Sequence, residues 1–283
     1  MSLILCFGGF SNPTAPTIVP GLKNVSRQII RNLVSVPVLQ PIWLKMLKLC
    51  HAGMNYGGGQ NVAQSGEIHA LRFAERKLGN PRPFTLVDVG ANDGLYLRTA
   101  LQVLRDDITA YSFEPQSASF KELQRDMADQ PRVHLRQAAV GKQPGQAELA
   151  FRSDLDTTAS IRRPGENRVA LTETVTIITI DDFCVVEDIQ RIDLLKIDTE
   201  GYEMEVLLGA SRMIASDAIR SIQFEFGDTF LTTPYHFIDL WELLSPRYTI
   251  YRILRRGLVE LRQYSSDLEI YKIANFLCIQ KKH

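Results

Sequence analysis

No two of the four cysteines, Cys6, Cys50, Cys184 and Cys278, form a CxxC pair, and they stand mostly among apolar residues. A free thiol in such surroundings packs as a small hydrophobe, so neither a disulfide framework nor a cysteine-held metal is expected, and the chain reads as reduced and cytoplasmic. His51, His69, His134, His236 and His283 are equally scattered, with no HxH, HExxH or His-carboxylate spacing; no metal centre is expected from them. Net charge is missing too. The 32 Lys and Arg balance 32 Asp and Glu, which leaves no global attraction to nucleic acid or to an anionic membrane. No window approaches the ~18 apolar residues of a membrane span. The opening "MSLILCFGGF" lacks a basic region before it and runs into the Pro-rich "SNPTAPTIVPGL", so a secretory leader is not expected either.

What is present changes character along the chain. Gln28 to Cys50 mixes apolar runs with Arg31, Lys45, Lys48, Pro37 and Pro41. It reads as two short helices, which either pack on the main domain or dock at an interface or partner. "MNYGGGQNVAQSGE", Met54 to Glu67, reads as a connection before the helix "IHALRFAERKLG"; its Gly triplet lacks the Lys and Ser/Thr of a phosphate loop. From Phe84 onward short apolar runs alternate with longer amphipathic ones, the pattern of βαβ units. Strands are expected at "FTLVDVG", "ITAYSFEP", "VHLRQAAVG", "IDLLKIDTEG" and "IRSIQFEFGD", and helices at Gly94–Arg105, Ser117–Asp129, "EMEVLLGASRMI" and "YHFIDLWELLS". Between about 146 and 182, Thr, Val and Ile at period two predict an inserted antiparallel ribbon. "YTIYRILRRGLVEL" and "YKIANFLCIQ" predict a closing antiparallel pair. The division expected is an extension over 1–82, partly helical, and a main domain over 83–283.

The chemistry gathers at strand ends. In an open parallel sheet the ligand crevice lies outside the carboxyl ends of the strands. There "VDVGANDG" places Asp88, Gly90, Asn92 and Gly94 in the first strand-to-helix turn. Its spacing is GxxxG, not the GxGxxG of dinucleotide sites. Asn92 and Asp93 would repel a pyrophosphate and welcome a cationic or donor-bearing guest. Glu114, in "SFEP", stands where an acid accepts hydrogen bonds from two ribose hydroxyls; it could instead cap the following helix. Gln137 to Val140, around Ala139, would flank a purine edge. In "KIDTEGYE", Lys196, Asp198, Glu200, Tyr202 and Glu203 crowd one strand end, as a reaction centre or as a helix-capping box. Glu225 and Asp228 follow in "FEFGD", and His236 reads either as a helix-start surface residue or as a base.

Together "VDVGANDG", "SFEP", "AAVG", "LLKIDTEGYEMEVLLGA" and "IQFEFGD" resemble the motif series of the FkbM-type methyltransferases, over about Thr85 to Ile279. The resemblance implies a class I Rossmann-like α/β sheet, mostly parallel with an antiparallel closing strand, here behind a helical N-terminal extension. It also implies S-adenosylmethionine as cofactor and a hydroxyl acceptor on a sugar, glycolipid or secondary metabolite. Asp88, Gly90, Asn92 and Gly94 would hold the methionine end, Glu114 the ribose, and Asp198 and Glu200 would face the reaction. The extension would cover the acceptor site.

An alcohol needs help to lose its proton. Asp198 or Glu200 is the expected base, with His236 behind them. A divalent ion bridging Asp198, Glu200 and Glu225 would serve the same end, and the metal-free route is preferred. A noncatalytic cofactor-binding or partner-recognition module stands as the alternative. A dehydrogenase is disfavoured by the absent GxGxxG. A nucleic-acid enzyme is disfavoured by the alternation of the basic tract Arg247–Arg262, which reads as one solvated face.

Overall fold

The computed structural model describes residues 32–58, 62–79, 83–104, 107–151, 159–161 and 171–282. The opening "MSLILCFGGF", the third Gly of the triplet and His283 lie outside them. Two compact units divide the chain, residues 1–50 and 51–283, so helix Glu67–Lys77 counts with the sheet that follows it. The described residues open with helical residues 32–34, and a short 3-10 turn at Pro37–Leu39 then leads into helix α1, Gln40–Gly53, which begins in the first unit.

The second unit begins with α2 (Val62–Ser65) and α3 (Glu67–Lys77). It continues through β1 (Phe84–Val89), α4 (Leu95–Leu104), β2 (Ile108–Phe113), α5 (Ser117–Asp126) and β3 (Val133–Arg136). After β4 (Ala139–Val140) come β5 (Gly145–Phe151), β6 (Ser160–Ile161), β7 (Leu171–Ile178) and α6 (Ile180–Val186). Then follow β8 (Leu194–Ile197), α7 (Glu203–Leu208), α8 (Ser211–Ala215), β9 (Ser221–Phe226), α9 (Phe237–Leu244), β10 (Tyr248–Leu254), β11 (Gly257–Leu261) and β12 (Ala274–Gln280).

One sheet runs β11-β10-β12-β9-β8-β1-β2-β3, with β9, β8, β1, β2 and β3 parallel and β12 entering antiparallel between β9 and β10. The strands alternate Leu86, Leu194, Leu277 toward α3 and α4, and Val87, Leu195, Ile222, Phe224 toward α6, α7 and α9; each face owns a separate apolar core. Burial of both faces is why these strands read as nearly continuous apolar runs.

Several expectations differ from the structure, among them that "EMEVLLGASRMI" is two helices, α7 and α8. "VHLRQAAVG" is two strands: β3 ends the large sheet, whereas β4 joins a second sheet of order β4-β7-β5-β6. The ribbon is antiparallel as expected, but it stops at Ile178; Thr179 accepts the Asp182 N–H at 3.0 Å and starts α6, with Asp181 and Asp182 in its first turn. A Thr cap and two early acids override the β-branched pattern before them. The basic tract is likewise no single solvated face: Arg252 is half-buried against the Tyr56 ring, and β10 and β11 form a hairpin turning at Arg255 and Arg256.

Candidate active site

Strand order reverses beside β1, which leads outward to β2 and β3 while the chain later returns on its other side as β8 and β9. The loops after these strands part there, as in doubly wound sheets that hold a ligand at such a point. They enclose a cavity of about 540 Å³. Its lining includes Gly90 to Asp93 after β1, Glu114 after β2, Ala138 to Val140, Asp198 to Glu200 after β8, Glu225 on β9, and Asn275 on β12.

The first loop is held by backbone hydrogen bonds on both sides. Gly90 and Ala91 each donate to the Phe113 carbonyl, at 3.0 and 2.9 Å, and the Asp198 N–H donates to Val89 at 2.9 Å. Gly90 has φ +84°, and a Cβ there would lie 1.8 Å from the Asp198 carbonyl oxygen, so only glycine lets the β1 and β8 loops approach. Gly94 serves a different end. A Cβ on it would meet Leu123, and it does not line the cavity. Asp88 does not line the cavity either; it lies buried beneath it.

Glu114 combines a place in the cavity wall with backbone hydrogen bonds on both sides. Its Oε2 accepts the Asn92 N–H and its Oε1 the Gln116 N–H, each at 2.8 Å, so it braces the first loop and the approach to α5 while facing the cavity. Burial pushes its carboxyl up to about 7, against the pull of those two N–H groups.

The third loop carries Glu200 at φ +54° and Gly201 at φ +96°. A left-handed non-glycine residue is uncommon and costs about 1–3 kcal/mol where the surroundings enforce it. The enforcing group is Glu203, whose Oε1 accepts from the Thr199 and Gly201 N–H groups at 2.9 and 3.2 Å. Glu203 is therefore a buried turn organiser. Asp198, Glu200 and Glu225 converge instead, each offering a carboxylate oxygen within 4.8 Å of the others.

Beneath the cavity lies a buried polar layer. Asp88, Lys196 and Gln223 stand in register on β1, β8 and β9, facing α3 and α4. Lys196 Nζ is 2.9 Å from Asp198 Oδ2 and 3.8 Å from Glu67 Oε1. Gln223 donates to Glu67 at 2.8 Å and accepts from the Tyr96 hydroxyl at 3.1 Å. Burial raises the Asp88 carboxyl to about 7 even with Lys196 beside it. Burial and then Asp198 push Glu225 well up. Burial works against the Lys196 charge, but Asp198 and Glu67 outweigh it and keep the ammonium protonated. One buried cation thus answers several acids.

His236 is not in this constellation. It is the N-cap of α9, takes part in a capping box with Asp239, and places Nδ1 2.7 Å from the Tyr271 hydroxyl. Glu67, Tyr96, Gln223 and Asn275 belong to the site or its floor, and no motif marks them in the sequence. Gln223 and Glu225, two apart in "IQFEF", were a period-two signal for one polar face.

This sheet order with a cofactor-sized cavity at the reversal defines a Rossmann-like methyltransferase fold. Residues 88–252 match the methyltransferase FkbM domain model, and the chain belongs to that family. The 2-O-methyltransferase NoeI of Sinorhizobium fredii (strain NBRC 101917 / NGR234) is 26% identical over 164 residues, covering 53% of this chain and 66% of that protein. The methyltransferase FkbM of Methylobacillus flagellatus KT is similar at 20% identity and TM-score 0.44, over 69% of this chain and 44% of that one. TrmK of M. capricolum, solved with S-adenosyl-homocysteine, is similar at 11% identity and TM-score 0.39, over 76% and 69% of the two chains. The chain therefore spans just under two thirds of NoeI and less than half of the FkbM structure.

Proposed function

We propose that this domain is a cytoplasmic enzyme that moves a methyl group from S-adenosylmethionine to a hydroxyl oxygen of a small acceptor, in the sugar, glycolipid or secondary-metabolite class. The convergence of Asp198, Glu200 and Glu225 in the cavity wall, on the β8–β9 side of β1 while Glu114 follows β2 on the other side, carries the reading. The residues fit the cofactor's chemistry: an acid for two ribose hydroxyls at Glu114, small apolar walls at Ala138, Ala139 and Val140 for a purine, and backbone at Gly90 to Asn92 for the amino-acid end. Bound there, S-adenosylmethionine supplies an electrophilic methyl on a cationic sulfur. The protein's tasks are to align the acceptor oxygen and take its proton. Asp198 is the proposed proton acceptor, with Glu200 and Glu225 orienting the hydroxyl. The name of the NoeI relative, an O-methyltransferase, supports oxygen as the acceptor atom. A noncatalytic module gains nothing from three converging carboxylates.

Glu114→Ala is expected to remove most of the cofactor affinity measured by calorimetry, since hydrogen bonds to a charged group contribute about 1.5–3 kcal/mol each. In the wild type, hydroxyl donors that favour the ionised carboxylate must lower a pKa now near 7. Binding should therefore release protons close to neutral pH, seen as a buffer-dependent heat. Unchanged affinity in the variant would remove Glu114 from the cofactor site.

The close approach of the three carboxylates also favours a second reading, a divalent cation that lowers the alcohol's pKa. The base reading predicts turnover that survives exhaustive EDTA treatment. Loss on chelation with recovery on adding Mn²⁺ would assign the carboxylates to a cation.

A further inference from the structure

We infer that α1 is an interfacial helix that rests on an anionic lipid surface. Two independent observations carry this, one of shape and one of charge. None of the helix's residues is buried, and Ile42, Trp43, Leu44, Met46, Leu47 and Leu49 are all substantially exposed. At about 100° per residue, Leu49, Ile42, Met46, Cys50, Trp43 and Leu47 fill one continuous arc of roughly 160°, and Lys45 and Lys48 lie outside it. Leu44 is the one large apolar residue on the polar side. The Trp43 indole N–H already has a partner, the Val34 carbonyl at 2.9 Å, so the ring can enter an apolar boundary without stranding a donor.

The charge is as one-sided as the shape. The first 66 residues contain Lys23, Arg27, Arg31, Lys45 and Lys48 and not one Asp or Glu; the neutral total arises because the remainder carries 27 basic and 32 acidic residues. A second copy of so uniformly positive a segment would repel the first. A bilayer with anionic headgroups attracts it, while the apolar arc sinks to the acyl boundary. The 14 residues of α1 span only about 21 Å, short of a hydrocarbon core of about 30 Å. Among the described residues no helix is long and apolar enough to cross a membrane. The helix lies along the surface.

The test is flotation of the full chain with vesicles of phosphatidylcholine alone or of equimolar phosphatidylcholine and phosphatidylglycerol. Strong partition onto the anionic vesicles, weakened by salt, is expected. The pair Lys45→Glu and Lys48→Glu should lower it by about tenfold or more, with thermal unfolding unchanged because both positions are exposed. In a Trp241→Phe background, Trp43 emission should shift to the blue on anionic vesicles only. Equal partition onto both vesicles, indifference to the charge reversal, or an unshifted Trp43 spectrum would overturn the inference. So would lipid-free self-association that Leu47→Glu abolishes.

Discussion

Asp198→Asn is expected to bind S-adenosylmethionine nearly as well as the wild type and to turn over about 10²–10⁴-fold more slowly, the usual contribution of a positioned proton acceptor. The substitution keeps an oxygen that can accept from Lys196 Nζ, now 2.9 Å from Asp198 Oδ2, so the floor of the cavity should survive. What it removes is the carboxylate's capacity to take a proton. Parallel calorimetry and single-turnover methyl transfer would separate the two effects. Full turnover in this variant would move proton acceptance elsewhere, with Glu200 next in line.

Lys196→Met should produce the largest loss of stability. Removing one member of a buried ion pair costs about 3–5 kcal/mol, because the partner is left charged in a poorly solvated place. Here the abandoned buried partner is Glu67, with Asp88 and Glu225 also feeling the lysine's field, while Asp198 loses its ion pair at a partly solvated position. The sign of the pH dependence follows. At neutral pH the variant must either keep uncompensated carboxylates or bind extra protons in the folded state, so the already raised Glu67, Asp88 and Glu225 carboxyls rise further. The penalty relative to wild type is then greatest above those raised values and shrinks as pH falls toward the unfolded carboxylate range. Urea unfolding at neutral and mildly acidic pH measures it. A variant as stable as wild type at neutral pH would show that these acids are already protonated in the native protein.

The loops were legible in the sequence because strand ends in a buried sheet have few reasons to collect ionisable residues. Glu114 and "KIDTEG" stood out for that reason, and Glu114, Asp198 and Glu200 do line one cavity with Glu225. The function of Gly90 was legible only in part: the turn was evident, but the backbone it admits belongs to Asp198, over a hundred residues away. Glu67 and Asn275 were hidden because they arrive from α3 and from β12, a strand inserted out of sequence order. Periodicity reports which way a side chain faces and is silent about which strand lies alongside. The same silence explains why β3 and β4 read as one strand: the change of sheets takes only Gln137 and Ala138 and brings no turn residue with it. His236 shows the reverse limit. Its residue type suggests proton transfer, whereas its position at the start of α9 gives it capping and a tyrosine partner instead.

The small sheet bears on how such a protein changes over generations. It has an apolar core of its own, built from Ala139, Leu149, Ile161, Val175 and Ile177, and presents Leu149, Ser160 and Ile161 to the cavity. That wall belongs to a different sheet from the strands that lead to Asp198 and carry Glu225. On the proposed reading, acceptor preference can drift by rebuilding one panel of the cavity while methyl-transfer chemistry stays under its separate, stricter selection.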